Sequence, residues 1–230
     1  MKRLVIGLLC LFAFSMQAQA AYTEGVEYSR ISPPVPTNVS PGKVQVVEVF
    51  WYGCPHCYAF EPMLEKWVHS EKPKVAVFMR VPAALNPSWL VHAQTYCALQ
   101  VLGKVNQVHE AIFQAIHEQG RLLNDVDSMA RFLAQQGIDP KAFKKAYNSL
   151  EAQTCLKRDA ELNRRYGVTG VPSMVVAGKY LTSASQAGSY KNMLKVVDYL
   201  VTKEAGRKKE NKKVSGEARI KIVQRHFSNR

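Results

Sequence analysis

Cys54-Pro55-His56-Cys57 stands where a strand-like run meets the start of a helical one, and this junction restricts the fold more than any other stretch. Residues 43–51 (KVQVVEVFW) are rich in β-branched and aromatic side chains. They read as a mostly buried strand, interrupted by one acid, Glu48. Tyr52-Gly53 turns the chain, and a helix is expected from Cys54 to about Ser70. Pro55 suits its first turn, because the N–H that proline lacks would find no partner there. Pro62 sits deeper and is expected to kink the helix. Residues 74–80 (KVAVFMR) read as a second strand. Strand, helix and strand in this order open an α/β sheet.

The rest of the chain extends that plan. Residues 21–43 carry Pro33, Pro34, Pro36 and Pro41, which rule out a helix and leave an extended lead-in with a short strand over 26–31. From about 86 to 165 the pattern is helical. Ser88 is expected to cap a helix ending near Gly103, and residues 105–118 carry apolar side chains at 105, 108, 112 and 116, a helical spacing. Further helices are expected over 127–136, from Asp139-Pro140, and over 151–166. Strands return at 173–176 and 179–182 around a hairpin turn at Ala177-Gly178, and an amphipathic helix over 189–203 closes the fold. The expected division is a signal at 1–20, the first part of an α/β domain at 21–85, an all-helical insertion at 86–158, the second part at 159–203, and an unstructured basic tail at 204–230.

Placement makes the cysteine motif specific. A sulfur at a helix N-terminus faces unpaired N–H groups and the positive end of the dipole, which favour thiolate, the nucleophilic form. Cys57, three residues on, shares that helix face within disulfide reach. Cys54 is thus expected to be the exposed attacking sulfur and Cys57 the covered resolving one. Pro55 and His56 tune the pair, His56 by adding positive charge or a hydrogen bond near Cys54. The competing readings are a structural disulfide or half of a zinc site. Zinc needs two more ligands, and Cys97 and Cys155 are isolated, so no metal is expected. Glu48, an acid in an apolar strand six residues before Cys54, reads as a proton acceptor or relay for Cys57, against the alternative of a solvent-facing edge residue. Glu61 could share the relay but fits a helix-surface acid better. Val171-Pro172 opens the returning strand. Its isomer is open from sequence. If cis, the bend would set the Val171 backbone beside the Cys54 sulfur, where an extended substrate could add as a strand.

The N-terminus reads as an export signal. Lys2 and Arg3 precede an uncharged apolar run over 4–14, and Ala18-Gln19-Ala20 supplies small residues for cleavage near Ala20. The run is short for a bilayer span, although a retained anchor or a buried helix competes. Cys10 is expected to leave with the signal. Four cysteines then enter an oxidising compartment, with three possible connectivities. The net charge of +13 comes from 31 basic and 18 acidic residues. Residues 203–230 hold ten Lys or Arg against three Glu, so the basic character belongs mainly to the tail. Nucleic acid is not an expected partner. The tail reads as solvated, with weak contact to an anionic membrane surface as the alternative.

Phe50-Trp51-Tyr52-Gly53-Cys54-Pro55-His56-Cys57-Tyr58, with Val168-Thr169-Gly170-Val171-Pro172 downstream, resembles the DsbA family of periplasmic thiol oxidases over about residues 25–203. The resemblance implies a thioredoxin fold with an inserted helical domain and a cis-Pro172 facing the redox helix. It implies that the Cys54–Cys57 disulfide is donated to reduced, unfolded exported proteins and restored by a quinone-linked membrane partner of the DsbB type. It sets Glu48 at the family's buried acid and Glu61 at a second acid, and it implies no metal or organic cofactor. An isomerase or reductase using the same site, or a redox-independent chaperone on the scaffold, is the alternative. Cys97 and Cys155 fall in the first and last helices of the block, where a structural disulfide is expected over two buried thiols.

Overall fold

A computed structural model of the chain describes residues 22–208. The expected signal over 1–20 and the tail beyond 208, with its alternative membrane contact, lie outside the described residues.

Strand β1 is Ser29–Arg30 and β2 is Val44–Phe50. β2 is buried along its whole length because it is paired on both edges and covered on both faces. On one edge it runs parallel to β3 (Ala76–Pro82), and on the other antiparallel to β4 (Ser173–Val176). β5 (Tyr180–Ser183) pairs with β4, and β1 pairs with β5, giving one sheet of order β1-β5-β4-β2-β3. Parallel β2 and β3 require a crossover, which α1 (Pro55–Lys66) supplies. Pro62 stands inside α1, and a wider helical turn, Trp67–Glu71, continues it.

Alternation along β2 sorts its side chains. Val44 and Val46 enter a core with Phe60 and Leu64 of α1 and with Met193, Val197 and Leu200 of the last helix. Val47 and Val49 face Val81, Tyr166 and Val175 on the other side of the sheet. Glu48 falls on the α1 side by the same alternation. Phe50, at the strand's end, enters a third core made chiefly by the helical block: α2 (Leu90–Val101), α3 (Val105–His117), α4 (Val126–Gln135), α5 (Pro140–Tyr147) and α6 (Leu150–Tyr166). Phe113, Ile112, Leu99 and Met129 are fully buried there against Phe50, Tyr52 and both cysteines of the motif. Each such side chain contributes about 1.5–3 kcal/mol of burial. The block therefore covers the C-terminal end of β2 and the start of α1.

Several elements differ from the sequence reading. β1 has two residues because Thr23–Glu27 closes a turn, with Val26 N–H donating to the Thr23 carbonyl at 3.1 Å. Asn86 caps the start of the helical block in place of Ser88: its Oδ1 accepts from Ser88 N–H at 3.1 Å and opens an extra 3₁₀ turn, Pro87–Trp89, ahead of α2. The expected boundary at 158 falls within α6, whose last part packs on the sheet through Tyr166 and through Asn163 Nδ2, donating to the Pro82 carbonyl at 3.1 Å. After the short α7 (Ala184–Ala187), the last helix, α8, covers 190–208 and so continues past Lys203. Glu204 is what extends it: buried at 1% exposure, it accepts from Lys179 Nζ at 2.5 Å and Tyr180 Oη at 3.1 Å.

The β4–β5 turn has both central residues, Ala177 (φ 56°) and Gly178 (φ 62°), in the left-handed region, which matches the twist of a two-residue hairpin. Gly178 also accepts from Val35 N–H at 2.8 Å, and a Cβ built on it would lie 2.0 Å from the Val35 carbonyl oxygen. Gly178→Ala is expected to lower stability by about 1–3 kcal/mol, read as a drop in the urea midpoint at constant slope. An unchanged midpoint would show that the lead-in does not pack on this turn.

Candidate active site

Cys54 is the N-cap of α1, in extended conformation, and its Sγ accepts from Cys57 N–H at 3.4 Å. Pro55 occupies the first turn without leaving an orphan donor. The Val171–Pro172 bond is cis, and the Cys54 thiol donates to the Val171 carbonyl at 3.5 Å. The two segments singled out from the sequence, 117 residues apart, thus meet at one sulfur. Cys54 is not the exposed sulfur expected: the Val171 carbonyl and the block's core cover it to 6% exposure, against none for Cys57, and both are thiols.

The two sulfurs are driven apart in acidity. The Cys54 thiol is drawn down to about 6, first by hydrogen bonding with the Cys57 side chain, against the cost of burial, then by the N–H groups of Cys57 and His56 and by the His56 charge. The Cys57 thiol is pushed far up, first by burial, then by the Cys54 sulfur and by Glu48. His56 leans outward, its Nδ1 3.4 Å from the Tyr190 hydroxyl. His56, Tyr190, Thr169, Val171, Pro172 and Leu181 line an open cavity of about 580 Å³ beside Cys54.

Behind Cys57 lies a buried charge cluster. Glu48 is fully buried, opposite Arg80 in the parallel register of β2 and β3. Arg80 Nε donates to Glu48 Oε2 at 3.0 Å, and Arg80 Nη2 donates to Glu61 Oε1 at 2.6 Å and also pairs with Glu65. Glu61 is not the helix-surface acid expected. It lies one turn past Cys57 on the buried face of α1, at 5% exposure, because α3 and the sheet close over that face. His109 Nε2 lies 3.2 Å from Glu61 Oε1, and its Nδ1 is 2.8 Å from the Tyr52 hydroxyl. Burial first, then the Glu61 charge, pushes Glu48 up to about 8 against the pull of Arg80. Burial opposes ionisation of Glu61, but His109 and Arg80 outweigh it and hold its carboxyl below the ordinary range.

Sequence reasoning missed Arg80, His109 and Tyr190. Arg80 was legible as the polar end of the second strand, but its meeting with Glu48 depends on strand register. His109 shares the apolar stripe of α3 with Val108 and Ile112, which marks it as buried without saying against what. Tyr190 opens α8 and reaches His56 only through the tertiary fold. Farther off, Cys97 and Cys155 are joined by a disulfide between α2 and α6.

A strand that feeds a helix capped by the first of two closely spaced thiols, with a cis-proline strand against that sulfur, defines a thiol–disulfide oxidoreductase on the thioredoxin fold. The sequence model of the DSBA-like thioredoxin domain matches residues 81–195. Among curated relatives, the thiol:disulfide interchange protein DsbA of Pseudomonas aeruginosa is 44% identical over 208 residues, covering 89% of this chain and 97% of the relative. That of Azotobacter vinelandii is 41% identical, covering 89% and 98%. The crystal structure of Pseudomonas aeruginosa DsbA superposes with a TM-score of 0.77 at 44% identity, covering 82% of this chain and 97% of that one. The DsbA from Xylella fastidiosa superposes with a TM-score of 0.75 at 32% identity, covering 80% and 98%. The chain belongs to the DsbA family.

Two expectations follow. In the reduced protein, thiolate absorbance of Cys54 should titrate with a midpoint of about 6, and a midpoint above 8 would remove the electrostatic account of this sulfur. The second concerns Glu48. Its folded pKa lies above the unfolded value, so between about 4.5 and 8 the native chain holds a proton that the unfolded chain releases. Stability should therefore fall as pH rises through that window. Glu48→Gln should flatten this slope, gaining relative to the parent by at most a few kcal/mol near pH 8, as read by denaturant unfolding of the reduced protein. Parallel slopes in the two proteins would contradict it.

Proposed function

We propose that this protein is a thiol:disulfide oxidase that donates the Cys54–Cys57 disulfide to reduced, unfolded exported proteins. The opposed acidities of the two sulfurs carry this reading. A stabilised Cys54 thiolate favours the reduced form, so the disulfide is a strong oxidant.

A client thiolate attacks Cys54 Sγ, the Cys54–Cys57 bond breaks, and a client–Cys54 mixed disulfide forms. Cys57 leaves as a thiolate and takes the proton held by the Glu48 carboxyl. Arg80 then balances the Glu48 carboxylate, in turn supported by Glu61 and His109. A second client thiolate attacks the client sulfur, closing the client disulfide and releasing Cys54 as a thiolate at the helix N-terminus. His56 and Pro55 tune that thiolate. The Val171 backbone and Pro172 receive the client as an added strand along the groove. On reoxidation Glu48 takes back the Cys57 proton. We assign reoxidation to a quinone-linked membrane partner of the DsbB type, and the site of action to the periplasm after removal of residues 1–20.

The test is the Cys54–Cys57 reduction potential, equilibrated against glutathione in a Cys97→Ser/Cys155→Ser background. A value well above thioredoxin's, about −270 mV, is expected. A value at or below it would overturn the reading in favour of a reductase or isomerase that works from the reduced state.

A further inference from the structure

The disulfide that joins α2 and α6 has unusual company. Its local core is small and apolar on one side, with Ala152 and Leu156. On the other side lies Asp159, fully buried, whose Oδ2 is 3.5 Å from Cys155 Sγ and 3.8 Å from Cys97 Sγ. Arg158 pairs with Asp159 Oδ1 at 2.8 Å, and its Nη2 lies 3.6 Å from Cys155 Sγ. Cys97 is inaccessible, whereas Cys155 keeps 9% exposure beside the half-exposed Arg158 side chain. A bond that only ties two helices together needs no carboxylate, and burying one is costly. The arrangement repeats that of Cys54 and Cys57: one reachable sulfur beside a cation, one covered sulfur, and a buried acid.

We propose that Cys97–Cys155 is a second exchange-competent redox pair, with Asp159 as its proton donor and acceptor and Arg158 as the cation that supports the Cys155 thiolate. The thiolate of a small thiol attacks Cys155 Sγ. The Cys97–Cys155 bond breaks, a mixed disulfide forms on Cys155, and Cys97 leaves as a thiolate that takes the Asp159 proton. The thiolate of a second small thiol attacks the small-thiol sulfur and releases Cys155 as a thiolate against Arg158. Two small-thiol thiolates become one disulfide, and the protein pair gains two electrons and ends with Cys97 as thiol, Cys155 as thiolate and Asp159 as carboxylate. The reverse reaction, driven by a small disulfide, returns the Cys97 proton to the Asp159 carboxylate. Burial favours the protonated acid, and Arg158 opposes it. The titratable groups facing Asp159 are Cys155, Arg158 and Tyr166 on α6 and Cys97 and Tyr96 on α2. None of this requires that Cys54–Cys57 act as a donor.

The test uses the full chain carrying Cys54→Ser and Cys57→Ser, held folded in mixtures of reduced and oxidised glutathione. Free Cys97 and Cys155 are followed over time by alkylation and mass shift, from about pH 6 to about pH 9. The folded protein is expected to exchange without denaturant. Asp159→Asn is expected to slow exchange about ten-fold or more near neutral pH and to flatten its pH profile. Exchange that occurs only when denaturant unfolds the chain would overturn the proposal, as would an unchanged rate and profile in Asp159→Asn. Should that variant fail to fold, Arg158→Gln decides: a several-fold slower exchange supports the proposal, and an unchanged rate overturns it.

Discussion

A carboxylate in the middle strand of a sheet has no water to turn to, and much of this architecture answers that problem at Glu48. β2 is paired on both edges and covered on both faces, so Glu48 can be satisfied only by another side chain brought to it. Arg80 arrives from β3 in exact-pair register, and its second nitrogen reaches Glu61 on α1. Glu61 in turn lies against His109 on α3, and His109 against the Tyr52 hydroxyl just ahead of the redox motif. One line of polar contacts thus ties sheet, redox helix and helical block together. The ionised partner of Arg80 in this line is Glu61, and breaking a buried ion pair by removing one partner typically costs about 3–5 kcal/mol, because the other charge is left uncompensated. The same contacts keep a titratable acid within electrostatic reach of Cys57.

That frame explains why two cysteines three residues apart behave so differently. Both belong to one helix turn, but Cys54 sits at its open end, where N–H groups converge and the Val171 carbonyl approaches. Cys57 points inward, under Phe50, Phe113 and the rest of the block's core. Backbone dipoles therefore favour charge on the first sulfur, while burial and a nearby acid oppose it on the second. A disulfide between such partners gains by being reduced, which is the property an oxidase requires. The helical block contributes by covering one sulfur and leaving the other at the rim of a groove.

The motif and its setting were legible in the sequence. Cys-Pro-His-Cys after an apolar run, Pro55 in a first turn, the hairpin at Ala177-Gly178 and the order of strands and helices are all written in stretches of ten to twenty residues. Local propensity and periodicity act over that range, so they specify which segments are helix or strand and which face is apolar. The acid at Glu48 stood out for the same reason, as one carboxylate in a run that read as mostly buried, although its side chain's face was left open until the sheet decided it.

Partnership was not legible, because it depends on register and docking summed over the whole chain. Glu61 read as a surface acid until α3 and the sheet closed over its face, and nothing local marks His109 as its neighbour. Arg80 stands 32 residues from Glu48, and a slip of one residue between β2 and β3 would have sent it to the other face. Asp159 stands one helical turn from Cys155 on α6, a local relation, but only the packing of α6 on α2 brings Cys97 to it. The sequence by itself determined the redox motif, its place at a helix start and the α/β plan, because short-range chemistry specifies these. The tertiary structure decided which charges are buried together and which sulfur is reachable, because those follow from contacts between segments far apart in the chain.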